Sequence, residues 1–218
     1  MIYTCYRGRN CDLIPEVAKL YLRPHMKVAD VTFGKGNFWR NIDIGQYDFY
    51  PSDIMTGIDL RILPYESNFF DTIVLDPPYV HSAGSFRINA TYNNKMITGN
   101  FNTVLQLYYA GIREARRVLK RNGLLWVKCQ DIVEGRMQKW SHILLKDFAE
   151  RNGFRAIDLF ILHQSAIPIN RVVSFGMQVH ARRNHSYLWV FRAKKLKAKA
   201  TQDKRWNQMT IFDTIENV

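Results

Sequence analysis

The stretch FDTIVLDPPYV, Phe70 to Val80, decides how the rest of this chain is read. Its apolar residues run without polar alternation, as in a strand buried on both faces. The run ends on an acid, two prolines and a tyrosine. Each proline lacks a backbone donor and fixes φ, so a central strand stops there. A buried strand that stops on Asp76-Pro77-Pro78-Tyr79 places a rigid polar group at its carboxyl end.

Working outward, MKVADVTFGKGNFW predicts a buried strand over Lys27 to Val31, a glycine turn, and a helix after it. YDFYPSD gives a second short strand ending near Asp53. CDLIPEVAKLYL sets Leu13, Val17, Leu20 and Tyr21 near one face of a short helix. Residues 80–103 are rich in Asn, Gly and Ser and show no period, which marks a lid or substrate loop. Helical spacing of Val104, Leu107, Tyr108, Ile112, Ala115 and Leu119 predicts a helix over Thr103 to Lys120, with Gly123 as its C-cap. LLWVKC is a further buried strand, and residues 139–151 form an amphipathic helix with Trp140, Ile143, Leu144 and Phe148 on its apolar side. FRAIDLFIL and SYLWVFRAKK are the last strands, joined by a polar and basic connection over residues 163–185. Strands alternating with helices predict an α/β domain on a mostly parallel, twisted sheet, over residues 1–195. The last two strands, with no clear helix between them, predict an antiparallel pair at one edge. Residues 196–218 read as a flexible basic tail.

Ligands of such sheets bind at the carboxyl ends of the strands, so Asp30 to Gly36, Asp53 and Asp76 to Tyr79 share one rim. In DVTFGKG, Gly34 and Gly36 let the backbone pass close to a ligand, or simply make a tight loop. Phe38 and Trp39 occupy the place of a third glycine, which favours a nucleoside site over a pyrophosphate cradle. Asp53 is spaced to accept from both ribose hydroxyls; its alternative is a turn cap. Asp59 is in place for an adenine edge or, equally, for a cap or turn.

The chain has 218 residues, a net charge of +12 and a hydrophobic fraction of 47%. That composition is globular, and the charge points to a polyanionic partner, most simply nucleic acid. Cys5, Cys11 and Cys129 are odd in number and lack metal-ligand spacing, which fits reduced thiols, no metal and a cytoplasmic setting. No apolar run is long enough for a membrane span.

Together, DVTFGKG and FDTIVLDPPY resemble the S-adenosylmethionine-dependent amino-methyltransferases that modify exocyclic amines of DNA bases. REARRVLKRNGLLWVK and NHSYLWVFRAKK extend the likeness over most of residues 10–195. The resemblance implies a Rossmann-like class I methyltransferase fold and S-adenosyl-L-methionine as cofactor. It implies cofactor contacts at Asp30, Thr32, Gly34, Gly36, Asp53 and Asp59, and at Cys11, Asp12 and Leu13 in an additional segment that a plain core helix explains as well. It also implies that Asp76, Pro77, Pro78 and Tyr79 act on the target. In this family an initial Asp leans toward adenine N6 and an initial Ser toward cytosine N4. The chemistry is coherent. Asp76 and the Pro77 carbonyl accept the two hydrogens of an exocyclic amine, favour a pyramidal nitrogen and stabilise its developing positive charge. Tyr79 stacks on an extruded base.

The chain lacks a length of sequence that would make a large target-recognition domain. Recognition then falls to the 80–103 loop and to Arg171, Arg182 and Arg183 in the connection. Tyr92 and Asn93 keep single-stranded or RNA substrates open. In the tail, QMTIF resembles the peptide by which replication proteins dock on the bacterial sliding clamp, through Gln208, Ile211 and Phe212. An apolar tail packing on its own domain is the alternative. Two rival classes remain: a clamp-tethered nucleic-acid-binding accessory protein, and a nicotinamide oxidoreductase, which gives no reason for DPPY.

Overall fold

A computed structural model of the chain describes residues 1–77, 101–163, 180, 181 and 183–195. In chain order its elements are β1 (Cys5–Arg7), α1 (Asn10–Tyr21), β2 (Lys27–Asp30), β3 (Asp48–Pro51), β4 (Phe70–Leu75), α2 (Phe101–Val118), β5 (Leu119–Cys129), β6 (Ile132–Glu134), β7 (Met137–Lys139), α3 (Ser141–Arg151), β8 (Phe154–His163) and β9 (His185–Ala193). Seven strands form one sheet in the order β1-β8-β9-β5-β4-β2-β3, and β6 and β7 make a separate hairpin. Strand β9 runs antiparallel to both of its neighbours, and the other pairings in the sheet are parallel.

The central strands are buried on both faces, and each face has its own core. In β4, Ile73 and Leu75 point to one side and Val74 to the other; in β5, Leu125 and Val127 oppose Leu124 and Trp126. This is the alternation of a pleated strand. Helices α2 and α3 cover the first face with Tyr108, Ile112, Ala115, Leu145 and Ala149. Helix α1 covers the second face with Leu13, Ile14, Val17 and Ala18, helped by Phe38 and Trp39. Trp39 stacks on Trp126 with ring centroids 6.4 Å apart.

The mostly parallel α/β sheet agrees with the sequence reading, and several details differ. The antiparallel pair β8–β9 is not at an edge, because β1 adds a parallel strand outside β8. No α-helix follows the glycine turn. A single 3-10 turn, Asn37–Trp39, turns Phe38 and Trp39 inward, and α1 covers the face that such a helix would have filled. Gly123 is not a C-cap: α2 ends at Val118, and Gly123 lies in β5 where the β4–β5 register shifts. An added Cβ at Gly123 would stand 2.9 Å from the Lys120 carbonyl. Residues 101–103 belong to α2, while 80–100, most of the 163–185 connection and the 196–218 tail lie outside the described residues. Leu20 of α1 is exposed, and α3 buries Ser141, Leu145 and Ala149 while leaving Trp140, Ile143 and Leu144 exposed. Among the described residues no helix is long and apolar enough to cross a membrane.

Helix α2 sits close on β4 because Gly111 has no side chain. A Cβ there would stand 2.8 Å from Leu60 Cδ1 and 3.1 Å from Leu75 Cδ1. Gly111→Val should therefore overpack the wall behind Asp76. The expected loss is about 1–3 kcal/mol, seen as a lower urea midpoint with an unchanged slope.

Candidate active site

The parallel strands β2, β3 and β4 end on one rim. Asp30 pairs in register with Pro51 on one side and Val74 on the other. That register brings the glycine turn, Asp53 and Asp76 together, as the sequence order alone implies for such a sheet.

Asp30 organises the turn. Its Oδ1 accepts from the Thr32 amide at 2.9 Å and from the Thr32 hydroxyl at 3.1 Å, and its Oδ2 accepts from Trp39 Nε1 at 2.7 Å. The Thr32 oxygen in turn accepts the Asp76 amide at 2.8 Å. One hydroxyl thus ties the glycine turn to the end of β4. Burial pushes the Asp30 carboxyl up to about 6, against the pull of its Trp39 and Thr32 donors and with a further upward push from Asp76. Gly34 and Gly36 have φ of 53° and 67°, so the turn itself demands glycine at both positions.

Asp53 caps the short turn Ile54–Thr56. Its Oδ1 accepts from the amides of Met55 at 2.6 Å and Thr56 at 3.2 Å, and its Oδ2 from the Gly34 amide at 2.8 Å. The capping alternative is thus realised. A carboxylate has about four acceptor sites, so three bonds leave about one for a ligand. Asp59 is held in a turn by Arg61, with the closest contact at 2.6 Å, and this pairing draws its carboxyl below the usual range.

At the start of α1 the three candidates separate. Leu13 is fully buried in the second core. Cys11 is buried, and the Asp12 carboxylate is engaged by Arg9 and, at 3.0 Å, by Asn41 Nδ2. Asn41 lies just beyond the glycine turn, so Asp12 fastens α1 to that segment. Of the arginines expected to meet phosphate, Arg183 donates to Gln138 Oε1 at 2.6 Å. Arg171, Arg182, Pro78, Tyr79, Tyr92, Asn93, Gln208, Ile211 and Phe212 lie outside the described residues.

Three features escaped the sequence reading. Ser52 Oγ and Asn10 Oδ1 are buried without a hydrogen-bond partner among the described residues, one beside Asp53 and the other beside Cys11. Ser52 stands next to Asp53 on the rim, and a polar ligand held there would satisfy its Oγ, the kind of partner a nucleoside-bearing cofactor brings. Lys128 of β5 is 1% exposed, and its Nζ donates to Ser186 Oγ at 2.5 Å. Its signal was visible as one cation inside the apolar run LLWVKC.

The folded chain holds the Asp30 proton more tightly than the unfolded chain does. This group's contribution to stability therefore falls as pH rises from about 4 to about 6, by about 3 kcal/mol. Asp30→Asn should flatten the pH dependence of urea unfolding across that window.

A family profile described as DNA methylase, covering the N6/N4 methyltransferases, matches residues 70–215, about two thirds of the chain. No curated protein matches. A Bacillus halodurans protein assigned as a methyltransferase is 11% identical, with a TM-score of 0.51, over 84% of this chain and 99% of its own. A Galdieria sulphuraria protein assigned as a sarcosine dimethylglycine methyltransferase is 15% identical, with a TM-score of 0.50, over 85% of each chain. At such identities these two establish a shared fold. A Thermus thermophilus protein assigned as a DNA modification methylase was solved with S-adenosyl-L-methionine; it is 17% identical, with a TM-score of 0.46, over 82% of this chain. This chain spans 60% of that protein's length. With DPPY inside the matched segment, the chain belongs to the N6/N4 DNA methylase family.

Proposed function

We propose that the chain methylates the exocyclic amine of a DNA base, adenine N6 foremost, with S-adenosyl-L-methionine as methyl donor. One observation carries this reading. Asp76, the first residue of DPPY, is fastened through Thr32 to the glycine turn that closes the pocket rim. Amine acceptor and cofactor turn are therefore one rigid unit.

The cofactor, when bound, supplies a methyl group activated by a sulfonium centre. Asp53, through its remaining acceptor site, and the orphaned Ser52 Oγ and Asn10 Oδ1 are the groups that would hold it. Asp30 and Thr32 serve it by shaping the turn. Asp76 and the Pro77 carbonyl take the amine's two hydrogens, localise its lone pair, and offset the charge that develops on nitrogen. Asp76 is then the nearest acceptor for the proton that the methylated nitrogen sheds. Pro77 and Pro78 keep that carbonyl rigid without amide protons, and Tyr79 gives a face for the extruded base. Adenine is favoured by the acid at the head of the motif, and DNA by the family and by the net charge of +12.

The test is transfer from methyl-labelled cofactor to unmethylated genomic DNA, followed by digestion to nucleosides. Label is expected in N6-methyladenine, with Asp76→Ala slower by about 10²–10³-fold. Label in N4-methylcytosine would overturn the base, and label only in RNA would overturn the substrate. Tight cofactor binding without any transfer would favour an accessory protein. A sliding clamp is proposed as a partner through Gln208, Ile211 and Phe212, on the strength of QMTIF alone. Calorimetry of that peptide with a bacterial clamp should give a saturable heat, and a flat titration would remove the clamp from the reading.

A further inference from the structure

From the placement of Lys128 we infer that it is a positioning residue of the transfer site: its buried ammonium, anchored on Ser186, faces Asp76 and keeps that carboxylate ionised as the acceptor of the amine's hydrogen. The inference rests on the function proposed above.

The register gives the geometry. Leu75 of β4 pairs with Val127 of β5, so Asp76 and Lys128 follow at adjacent positions. Leu75 and Val127 both point into the first core, and strand alternation therefore turns Asp76 and Lys128 toward the opposite face, the face of Asp30. There Lys128 Nζ donates to Ser186 Oγ, while from the first face Tyr108 donates to the Lys128 carbonyl at 2.7 Å. A hydroxyl gives the ammonium a hydrogen bond and no counter-charge. A buried ammonium without counter-charge is costly, and burial accordingly draws Lys128 below the usual lysine range. Asp76 opposes that shift most, followed by Cys129.

Among the described residues, the groups that meet the charge of Asp76 are of one kind apart from Lys128. Asp30 on β2, Tyr108 on α2 and Cys129 on β5 all interact with its charge, and each is an acid or neutral. Helix α1 brings Arg9, Cys11 and Asp12 to the rim, but Arg9 is paired with Asp12. His185 and Tyr187 flank Ser186 on β9 and bond to each other at 2.9 Å. A second carboxylate nearby resists ionisation of the first, and a cation within reach restores it. A protonated Asp76 would present a donor where the amine also presents donors, so its acceptor role needs the ionised form. Lys128 lowers somewhat the attraction of the site for a cationic nitrogen. Losing the acceptor altogether is the larger effect.

A double-mutant cycle on folding stability tests the contact without requiring catalysis. Lys128→Met, Asp76→Asn and the double variant are unfolded in urea across pH. The expected coupling is favourable at neutral pH and fades as pH falls through the Asp76 titration, because an ionised carboxylate is what the ammonium stabilises. Zero coupling at every pH would overturn the inference. The kinetic readout is the acid limb of kcat/KM for methyl transfer. In Lys128→Met it should move to higher pH by roughly one to three units. A uniform loss of rate with an unmoved limb would make Lys128 merely structural and overturn its role. If Lys128→Met does not fold, Lys128→Gln takes its place in both measurements, since it keeps a donor for Ser186 without the charge. Absence of transfer by the wild-type chain would sink the proposed function and with it the role in transfer, while the cycle still decides the Lys128–Asp76 contact.

Discussion

The Thr32 hydroxyl is the joint on which the rim depends. It donates to the Asp30 carboxylate and accepts the Asp76 amide. Beyond Asp76 the chain continues into two prolines, so for the next two residues no backbone donor remains to hold the end of β4. Fixing that last amide fixes the direction in which Asp76 and the Pro77 carbonyl leave the sheet. On the other side, the Asp30 carboxylate collects both Thr32 donors and the Trp39 indole, so the turn is wrapped around a buried acid. Trp39 then stacks on Trp126 of β5, which ties the turn to the core beneath it. The glycine turn is thus a polar hub closed by an aromatic lid, and its glycines answer to backbone angle.

The sequence was informative where burial is two-sided. Strands β2, β4, β5, β8 and β9 are apolar runs because both faces are covered, and their order placed Asp30, Asp53 and Asp76 on one rim. It was silent where an element is short or borrowed. Strand β1 is three residues, Cys5–Arg7, with exposed ends, and its place in the sheet comes from pairing with β8. The face of α3 was misread in part: Ile143 and Leu144, with Trp140 just before the helix, are apolar by type yet exposed, while Leu145, Phe148 and the small Ala149 pack on the first core.

The acids were the least legible residues, for a physical reason. A carboxylate meant for a ligand and one that closes a turn look the same in sequence. Asp12 is held by Arg9, three residues before it, and Asp59 by Arg61, two residues after it. Those near neighbours were visible and would have marked both acids as local. Asp53 had no such marker, since its partners are backbone amides.

Buried charge marks the rim where β2, β4 and β5 end. Asp30 and Lys128 are nearly inaccessible, on one face, at the ends of neighbouring parallel strands on either side of β4. Apolar side chains pack the layers beneath them. Each carries a desolvation cost that a hydrophobic replacement would avoid, so the burial of such charges is poor evidence for stability. Local rules are broken in this way mainly where function requires it. The residue between them is Asp76, one acid away from Asp30 and one cation away from Lys128. In the role proposed above, Asp76 stands between those two fields, which the register of β2 and β5 brings to either side of it.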